Sequence, residues 1–352
     1  VIRLHNSTTS TKIKPLPTSK SSSPLWQKSL ENLKTMPAQI DSKTRRFRVT
    51  AIKRHLVYNK QYNLTDPYGL VYRLDSMQAP GGVWQTVTNY KSDEPLVLRA
   101  LKGEWIEVYL TNGLPANTQL QMEPYYPAVV AEANRRMVSN RVSLHPELLL
   151  YDVKTSNGAN VGYNGQQTAG PGQTVKYVWY ADRVVNSLLQ DFADIRNHKH
   201  HGLVGVLIVE PANAVVSKFY GTTATVASRS YAEDDDDGVS AAVTRYECVL
   251  LAQNGIRFYL NGDPSKPFPE FLNDFIDQGN KGYNLKIHPI GPPDWTNVEP
   301  ETPIFTVPAD TDVKFVFLGG GMDKTRFGTF ALEGHAWREF PELVDVSPVF
   351  AH

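Results

Sequence analysis

The sequence has only one cysteine, Cys248, and this scarcity excludes several kinds of chemistry. One cysteine permits no internal disulfide, no zinc or iron–sulfur site built from several thiolates, and no more than one copper–thiolate centre. Cys248 lies in the run RYECVLLAQ, and a lone cysteine in an apolar strand is typical of a small buried residue. We therefore expect Cys248 to belong to the core.

The chain also lacks a net charge and a long apolar run. Its 36 Lys and Arg residues balance 36 Asp and Glu residues, which removes the long-range attraction that nucleic acid or an anionic membrane requires. No apolar run approaches the roughly 18 residues of a membrane-spanning helix, and the sequence does not begin with the basic and apolar pattern of a signal peptide. The sequence thus predicts no nucleic-acid partner and no transmembrane segment.

Residues 1–45 differ in composition from the rest of the chain. They begin with VIRLH, a short alternating run, and continue with many Ser, Thr, Lys and Pro residues. Such a segment cannot bury enough apolar surface to offset the entropy lost on ordering. We expect an extended N-terminal arm, which is either a flexible leader or a strand that becomes ordered on a neighbouring subunit.

From residue 46 onward, short runs rich in Val, Ile, Tyr and Trp are separated by Gly, Pro, Asn and Asp. This is the strand-and-turn pattern of an all-β sandwich. Short helices are expected only at residues 25–34, 128–136 and 269–276. With hydrophobic residues at 41% of the 352 residues, the chain can fill two domains of ordinary size, predicted at residues 46–212 and 245–352.

Residues 213–244 are predicted to separate these two domains. They contain five consecutive acids, Glu233 and Asp234–Asp237, and such a run repels itself and stays solvated. A linker or surface loop is therefore expected. A calcium loop is the alternative, but the run lacks alternating ligands and a closing Glu. The second domain has no clear closing hairpin, so we expect it to be abbreviated or completed by a strand from another chain.

Several segments, taken in chain order, resemble the multicopper oxidases, which are built from cupredoxin domains. The similar segments are RRFRVTAIKRHLVYNKQYNLTDPYGLVYRLD (45–75), PLVLRALKGEWIEVYLTNGLP (95–115), VSLHPELLLYDVKTSNGANVGYNGQQTAGPGQTVKYVWYADR (142–183), LLQDFADIRNHKHHGLVGVLIVEP (188–211), TPIFTVPADTDVKFVFLGG (302–320) and GTFALEGHAW (328–337). The resemblance implies tandem Greek-key β-sandwiches. It also implies a copper centre with one thiolate and two imidazoles, and a trinuclear copper cluster held by His-x-His pairs.

The hairpin motif lacks the donors that the family uses. In the family, this motif reads H-C-H, with further ligands five and ten residues after the cysteine. When the motif is aligned on the Leu203 position, Phe192, Ala193 and Asp194 stand where H-C-H is expected. His198 and Leu203 occupy the two distal positions. Because alanine has no donor atom, the resemblance implies that this hairpin makes no blue-copper site.

The other two ligand motifs are also incomplete. Where the family has S-x-H-x-H-G, this sequence has SLHPE, so His145 matches the first histidine and Glu147 the second. A register shifted by two residues would instead match Ser143 to the first histidine and His145 to the second. In the third motif, Gly328, Ala331 and Glu333 replace the three ligands, while Phe330, Leu332, Gly334 and His335 match structural positions.

A group of histidines remains as the candidate metal site: His198, His200 and His201, with His145 nearby across the sandwich. In strand geometry, His198 and His200 would share a face and could bind a divalent ion, with Asp194 as a carboxylate ligand. The alternative is that these rings cap a hairpin and donate hydrogen bonds to loops. No cofactor is expected, although copper is possible.

The sequence thus favours a multicopper-oxidase-like protein that has lost its copper ligands, catalyses no reaction, and serves assembly through its N-terminal arm and open sheet edges. The alternative is that the chain is a section or subunit of a larger secreted copper oxidase acting on metal ions or phenols. The resemblance implies an extracytoplasmic or secreted location. The sequons at Asn6 and Asn63 would then be glycosylation acceptors in a suitable host.

Overall fold

The computed structural model describes residues 36–88, 90, 93–116, 138–195, 197–229, 242–265, 281–287 and 302–320. The three predicted helices, the acidic run and the motif at residues 328–337 lie outside these ranges. The chain divides into two compact units, residues 1–38 and residues 39–352. Residues 36–38, the described part of the first unit, have no regular secondary structure.

Strands dominate the described part of the second unit. In chain order they are β1 (Thr44–Lys53), β2 (Leu56–Asn59), β3 (Leu64–Asp66), β4 (Leu70–Gln78), β5 (Trp84–Thr86), β6 (Leu96–Leu101), β7 (Trp105–Asn112), β8 (His145–Pro146), β9 (Leu150–Tyr151), β10 (Thr174–Tyr180), β11 (Val185–Gln190), β12 (Val204–Glu210), β13 (Val215–Val216), β14 (Thr223–Ser228), β15 (Val243–Asn254), β16 (Tyr259–Leu260), β17 (Lys281–Tyr283) and β18 (Val313–Gly320). A single helical turn, α1 (Val153–Ser156), begins after Asp152, whose side chain accepts a hydrogen bond from the Lys154 N–H. Short 3-10 helices span Asp41–Lys43 and His198–His201.

Two sheets built from residues 44–210 face each other. The first has the order β5-β4-β1-β7-β10-β9, and the second has the order β6-β12-β11-β8. In each sheet one pair of neighbours is parallel, β1 with β7 and β6 with β12, while the other pairs are antiparallel. Alternating side chains from both sheets, among them Phe47, Val108, Leu98 and Leu207, form one buried cluster. This arrangement confirms the predicted all-β sandwich.

A third sheet contains β13-β14-β15-β17, with β18 added parallel to the other edge of β15. One face of β15 and β18 packs on the second sheet, where Val249 and Val316 meet Val206 and Ile208. Cys248 lies in β15 and is fully buried, as expected. Strands β13 and β14 fall within the predicted linker at residues 213–244, and the division into two domains stays a prediction.

A small sheet, β16-β3-β2, joins β2 and β3 to residues 256–260. Leu56, Tyr58, Ile256 and Phe258 form its buried cluster. Within the described ranges, no helix is long and apolar enough to cross a membrane.

Candidate functional site

Three of the four candidate histidines lie in the connection between β11 and β12, which are paired as the predicted hairpin, and the fourth, His145, lies in β8. His198, His200 and His201 do not form a strand; they lie in a 3-10 helix that ends at Gly202, whose φ of 103° is left-handed. The expectation that His198 and His200 share a strand face is therefore wrong. With three residues per turn, His200 points away from the side on which His198 and His201 lie.

His198 uses both of its ring nitrogens within the protein. Its Nδ1 lies 2.9 Å from Asp191 Oδ2, and its Nε2 lies 2.8 Å from the Ser139 carbonyl oxygen. A carbonyl oxygen only accepts hydrogen bonds, so Nε2 carries a proton, and the carboxylate accepts the proton on Nδ1. Burial lowers the pKa of His198, but the charge and hydrogen bond of Asp191 outweigh it and raise that pKa above its usual value. His198 is thus held as a buried imidazolium.

The two aspartates beside His198 organise the loop. The Asp191 carboxylate also accepts hydrogen bonds from the backbone N–H groups of Ser143 (2.7 Å) and Asp194 (2.8 Å). Asp194, proposed from the sequence as a metal ligand, accepts hydrogen bonds from Ser139 N–H (2.9 Å) and from the Asn197 side chain. Both carboxylates therefore bind backbone and amide donors of the surrounding loops.

His200 connects the hairpin to a later part of the chain. Its Nδ1 donates to the Gly255 carbonyl oxygen at 2.7 Å, while its own carbonyl accepts from Arg257 N–H at 2.8 Å. Burial, with the positive charge of Lys199 nearby, lowers the pKa of His200 to about 2. His200 is therefore a neutral ring that fixes residues 255–257 against the hairpin.

His201 and His145 have different partners again. His201 Nδ1 donates to Asp66 Oδ2 of β3 at 2.6 Å, and the His201 ring meets the Tyr68 ring edge-on. His145 Nδ1 donates to the Asn157 carbonyl oxygen at 2.6 Å. The His145 ring lies 4.2 Å, centre to centre, from the ring of Phe192. The structure thus brings His145 next to a position that the motif alignment assigned to a ligand, but phenyl occupies it.

The four histidines each donate to a different acceptor. Within the described residues, no group of three or more His, Cys, Asp and Glu side chains is arranged to hold a metal ion. His198 has an oxygen facing each ring nitrogen, so its imidazole has no lone pair for a metal in this arrangement. Metal binding at His145, His200 and His201 stays a prediction.

Sequence reasoning missed the carboxylates that hold these rings. Asp191 and Asp66 were not identified, although both stand in runs similar to the family; Asp191 directly follows β11, and Asp66 is the last residue of β3.

Sequence reasoning also missed a group of buried charged side chains between the second and third sheets. Arg99 Nη2 lies 3.6 Å from Glu247 Oε2, and Lys314 Nζ lies 2.7 Å from Glu247 Oε1 and 3.8 Å from Glu210 Oε2. The signal available was an arginine inside the apolar run PLVLRAL.

No family model matches this chain, and no curated protein matches it. Solved structures that are similar include a multicopper oxidase (15% identity, covering 69% of this chain and 54% of that one, TM-score 0.36). A multi-copper oxidase from Pseudomonas thermotolerans has 14% identity, covering 71% of this chain and 42% of that one, with a TM-score of 0.35. The copper nitrite reductase from Nitrosomonas europaea has 17% identity, covering 79% and 68%, with a TM-score of 0.39.

The matched part of this chain thus spans about half of the two multicopper oxidases. The sandwich of residues 44–210, with one parallel pair in each of two facing sheets, agrees with the all-β sandwich predicted from the sequence. The described residues show an all-β sandwich fold, and the resemblance to the cupredoxin domains of multicopper oxidases stays a prediction.

Proposed function

We propose that this chain is a non-catalytic, multicopper-oxidase-like protein whose cupredoxin-like sandwiches serve assembly. One observation carries the proposal: the hairpin between β11 and β12 uses its polar side chains to bind other parts of the protein. His198 donates to the Asp191 carboxylate and to the Ser139 carbonyl oxygen. Asp194 accepts from the Ser139 N–H and from the Asn197 side chain, and His200 donates to the Gly255 carbonyl oxygen. These hydrogen bonds connect the loops that a metal centre would otherwise connect.

Phe192, which stands where the family has a copper ligand, packs against another side chain of this protein. Phe192 stands at a predicted histidine position, and its ring packs against His145. Cys248 is the only cysteine in the sequence. It lies in β15 of the third sheet, and burial raises the pKa of its thiol to about 11. A thiolate is the form that binds copper, so a buried thiol with a raised pKa is a poor ligand. The donor set at the hairpin therefore does not fit a blue-copper centre.

Metal analysis tests this proposal directly. The full chain should be produced in copper-containing medium, and its copper content and visible absorption should be measured. We expect less than one copper per chain, no blue absorption and no oxidase activity toward manganese or phenols. Cys248→Ala is the control, because any blue thiolate centre would have to vanish in that variant. Several coppers per chain together with oxidase activity would refute a non-catalytic role.

A second candidate function is that the chain is a section or subunit of a larger copper-dependent oxidase. One observation favours it: His145 and His201 each donate Nδ1–H to an oxygen, which is the usual orientation of a histidine that binds a metal through Nε2. Copper titration of His145→Gln and His201→Gln variants, with His198→Gln as the control, distinguishes the two. Loss of a bound copper in the first two variants alone would support the oxidase.

Assembly and location complete the proposal. We propose that copies associate through the N-terminal arm and open sheet edges, in an extracytoplasmic or secreted setting. Deleting residues 1–45 should convert the assembled protein into smaller particles in light scattering. An unchanged particle size would exclude the arm from assembly.

Glycan attached at Asn63 in a glycosylating host would support the proposed extracytoplasmic or secreted location, since Asn63 lies exposed in the turn before β3.

A further inference from the structure

The outer face of the first sheet, which points away from the second sheet, carries charged and aromatic side chains. In β1 the side chains alternate, so that Phe47 and Val49 are buried in the sandwich while Arg48 is exposed. The neighbouring strands continue this pattern, because Tyr109 of β7 is the partner of Arg48, and Lys176 of β10 is the partner of Tyr109. Tyr109 is partly exposed, and the Lys176 side chain is 45% exposed. These side chains therefore reach solvent.

Two aromatic rings on this face lie between two cations. The guanidinium of Arg48 lies over the Trp84 ring, 4.0 Å from its centre. The Trp84 ring meets the Tyr109 ring edge-on, with 6.1 Å between the ring centres. The Lys176 ammonium lies 5.6 Å from the centre of the Tyr109 ring and 2.6 Å from Glu107 Oε1. The four side chains of Arg48, Trp84, Tyr109 and Lys176 thus form one continuous row, here named the cation–aromatic row.

The carboxylates on this face are paired with cations other than Arg48. Glu107 also accepts a hydrogen bond from Arg46 Nε at 2.8 Å. Asp75 accepts a hydrogen bond from Arg73 Nε at 2.6 Å. In the part of the chain that the structure describes, no carboxylate forms an ion pair with Arg48. Arg48 therefore leaves one positive charge on this face that the protein itself does not neutralise.

The stacked guanidinium of Arg48 has the geometry of an oxyanion receptor. Its N–H groups lie in one plane and point outward from the rim of the group, where they match two oxygens of a carboxylate or sulfate. The Trp84 ring beneath it fixes the orientation of this plane. Because the group is held in place before a ligand arrives, less conformational entropy is lost on binding.

The other groups on this face favour a sugar as the ligand. Trp84 and Tyr109 are partly exposed rings, and such rings present an apolar surface to the C–H groups of a sugar. The hydroxyls of Thr111 and Thr174 lie 2.8 Å apart on the same face. Hydroxyls and the carboxylate of Glu107 are suitable partners for sugar hydroxyls. The face thus combines one oxyanion site with apolar and hydrogen-bonding groups.

A nucleic acid fits this face less well. It carries a phosphate on every nucleotide, and its binding requires several cations that are not already neutralised. Here Arg46 and Arg73 are paired with Glu107 and Asp75, and these carboxylates would repel closely spaced phosphates. The sequence as a whole has a formal net charge of zero. An anionic polymer in which neutral groups separate the charges suits the face better.

We propose that the outer face of the first sheet, centred on Arg48 and Trp84, binds an acidic polysaccharide whose sugars carry carboxylate or sulfate groups. Arg48 donates two hydrogen bonds to the oxyanion, and the rings of Trp84 and Tyr109 contact the sugar that carries it. This surface uses neither the hairpin histidines nor the N-terminal arm, so the inference is independent of the assembly role.

Titration with soluble polysaccharides tests the inference. The full chain is titrated in a calorimeter with polygalacturonate, which carries carboxylates, and with heparin, which carries sulfates. Neutral dextran and single-stranded DNA are the comparison ligands. We expect saturable binding of one or both acidic polysaccharides, no binding of dextran, and weaker binding of the DNA. Failure of both acidic polysaccharides to bind would overturn the inference, and so would equal or tighter binding of dextran or DNA.

Two arginine variants separate a specific site from general charge attraction. Arg48 and Arg73 are both exposed on this face, but Arg73 is already paired with Asp75. We expect Arg48→Gln to raise the Kd of the polysaccharide about tenfold or more, and Arg73→Gln to raise it less than about threefold. Arg48→Lys should restore only part of the affinity, because an ammonium lacks the planar pair of donors. Equal Kd values for Arg48→Gln and Arg73→Gln would overturn the assignment of this site.

Discussion

Arg99 of β6 and Glu247 of β15 are both fully buried, and their side chains lie 3.6 Å apart between the second and third sheets. A charge enclosed in this way is stable only while its partner remains, because the protein interior solvates it poorly. Lys314, 2.7 Å from Glu247, adds a second positive charge at the same carboxylate. These three charged side chains therefore constrain how the second and third sheets pack against each other.

Removing the Glu247 charge should destabilise the fold strongly. For Glu247→Gln we expect the free energy of unfolding in urea to fall by about 3–5 kcal/mol, since the buried Arg99 loses the carboxylate that lies 3.6 Å from its Nη2. Lys314→Met is the matched control. Its ammonium is partly exposed and Arg99 still accompanies Glu247 in this variant, so the loss of Lys314 should cost clearly less than the loss of the Glu247 charge. Equal losses in the two variants would contradict the assigned importance of Arg99.

The His198–Asp191 pair predicts that stability falls on the alkaline side. The pKa of His198 is raised in the folded protein, so its stabilising effect is complete below about pH 6.5 and is lost as the pH rises through the folded value. We expect a slope of at most about 1.4 kcal/mol per pH unit in that range. The His198→Gln variant should lack this slope. Urea titrations between pH 6 and 9 measure it, and an identical slope in the variant would disprove the buried imidazolium.

His200 predicts the opposite dependence. Burial lowers the pKa of His200 to about 2. The ring therefore stays neutral in the folded protein, whereas in the unfolded chain it binds a proton near pH 6.5. Stability should therefore be complete above pH 6.5 and decrease as the pH falls, by about 1.4 kcal/mol per unit. The window from pH 6.5 to 5 separates this effect from the titration of carboxylates. A His200→Gln variant with an undiminished slope in that window would contradict the assignment.

Gly202 ends the histidine turn, and its replacement should be costly for two separable reasons. Its φ of 103° disfavours side chains, and a Cβ would lie 2.8 Å from Leu56 Cδ1 and 2.9 Å from the Leu70 carbonyl oxygen. Gly103 has a φ of 91° with nothing within 4 Å of its Cβ position, so Gly103→Ala reports the backbone strain alone. We expect Gly202→Ala to lower the melting temperature clearly more than Gly103→Ala. Equal shifts would indicate that the turn has room for a side chain.

Much of the fold was predictable because it depends on local alternation. In the run TVKYVWY, Thr174 and Lys176 alternate with apolar and aromatic residues, and in β10 Tyr177 and Trp179 are buried while Thr174 and Lys176 are exposed. The hairpin of β11 and β12 was implied by the resemblance of residues 188–211 to the family's hairpin motif. Cys248 was predicted to be a core residue because it lies in an apolar run, and it is fully buried.

The candidate site was less predictable, because its contacts join residues far apart in sequence. The turn His198–His201 was assigned to a strand from spacing, but its hydrogen bonds to Ser139, Asp66 and Gly255 accompany a 3-10 helix. A period of two residues carries no information about such partners. The buried carboxylates Asp191 and Asp66 give no local signal either, since an aspartate after a strand is more commonly solvated.

By itself, the amino-acid sequence determined which groups stand at residues 192–194 of the hairpin, namely phenyl, methyl and carboxylate, and that the one thiol lies elsewhere in the chain. It also determined the alternation that makes the strands of the sandwich. Only the tertiary structure decided what the remaining histidines do, because the acceptors of their protons come from Asp66, Ser139, Asn157, Asp191 and Gly255, on separate segments. A ring's protonation and its capacity to bind a metal depend on those neighbours, and folding alone brings them together.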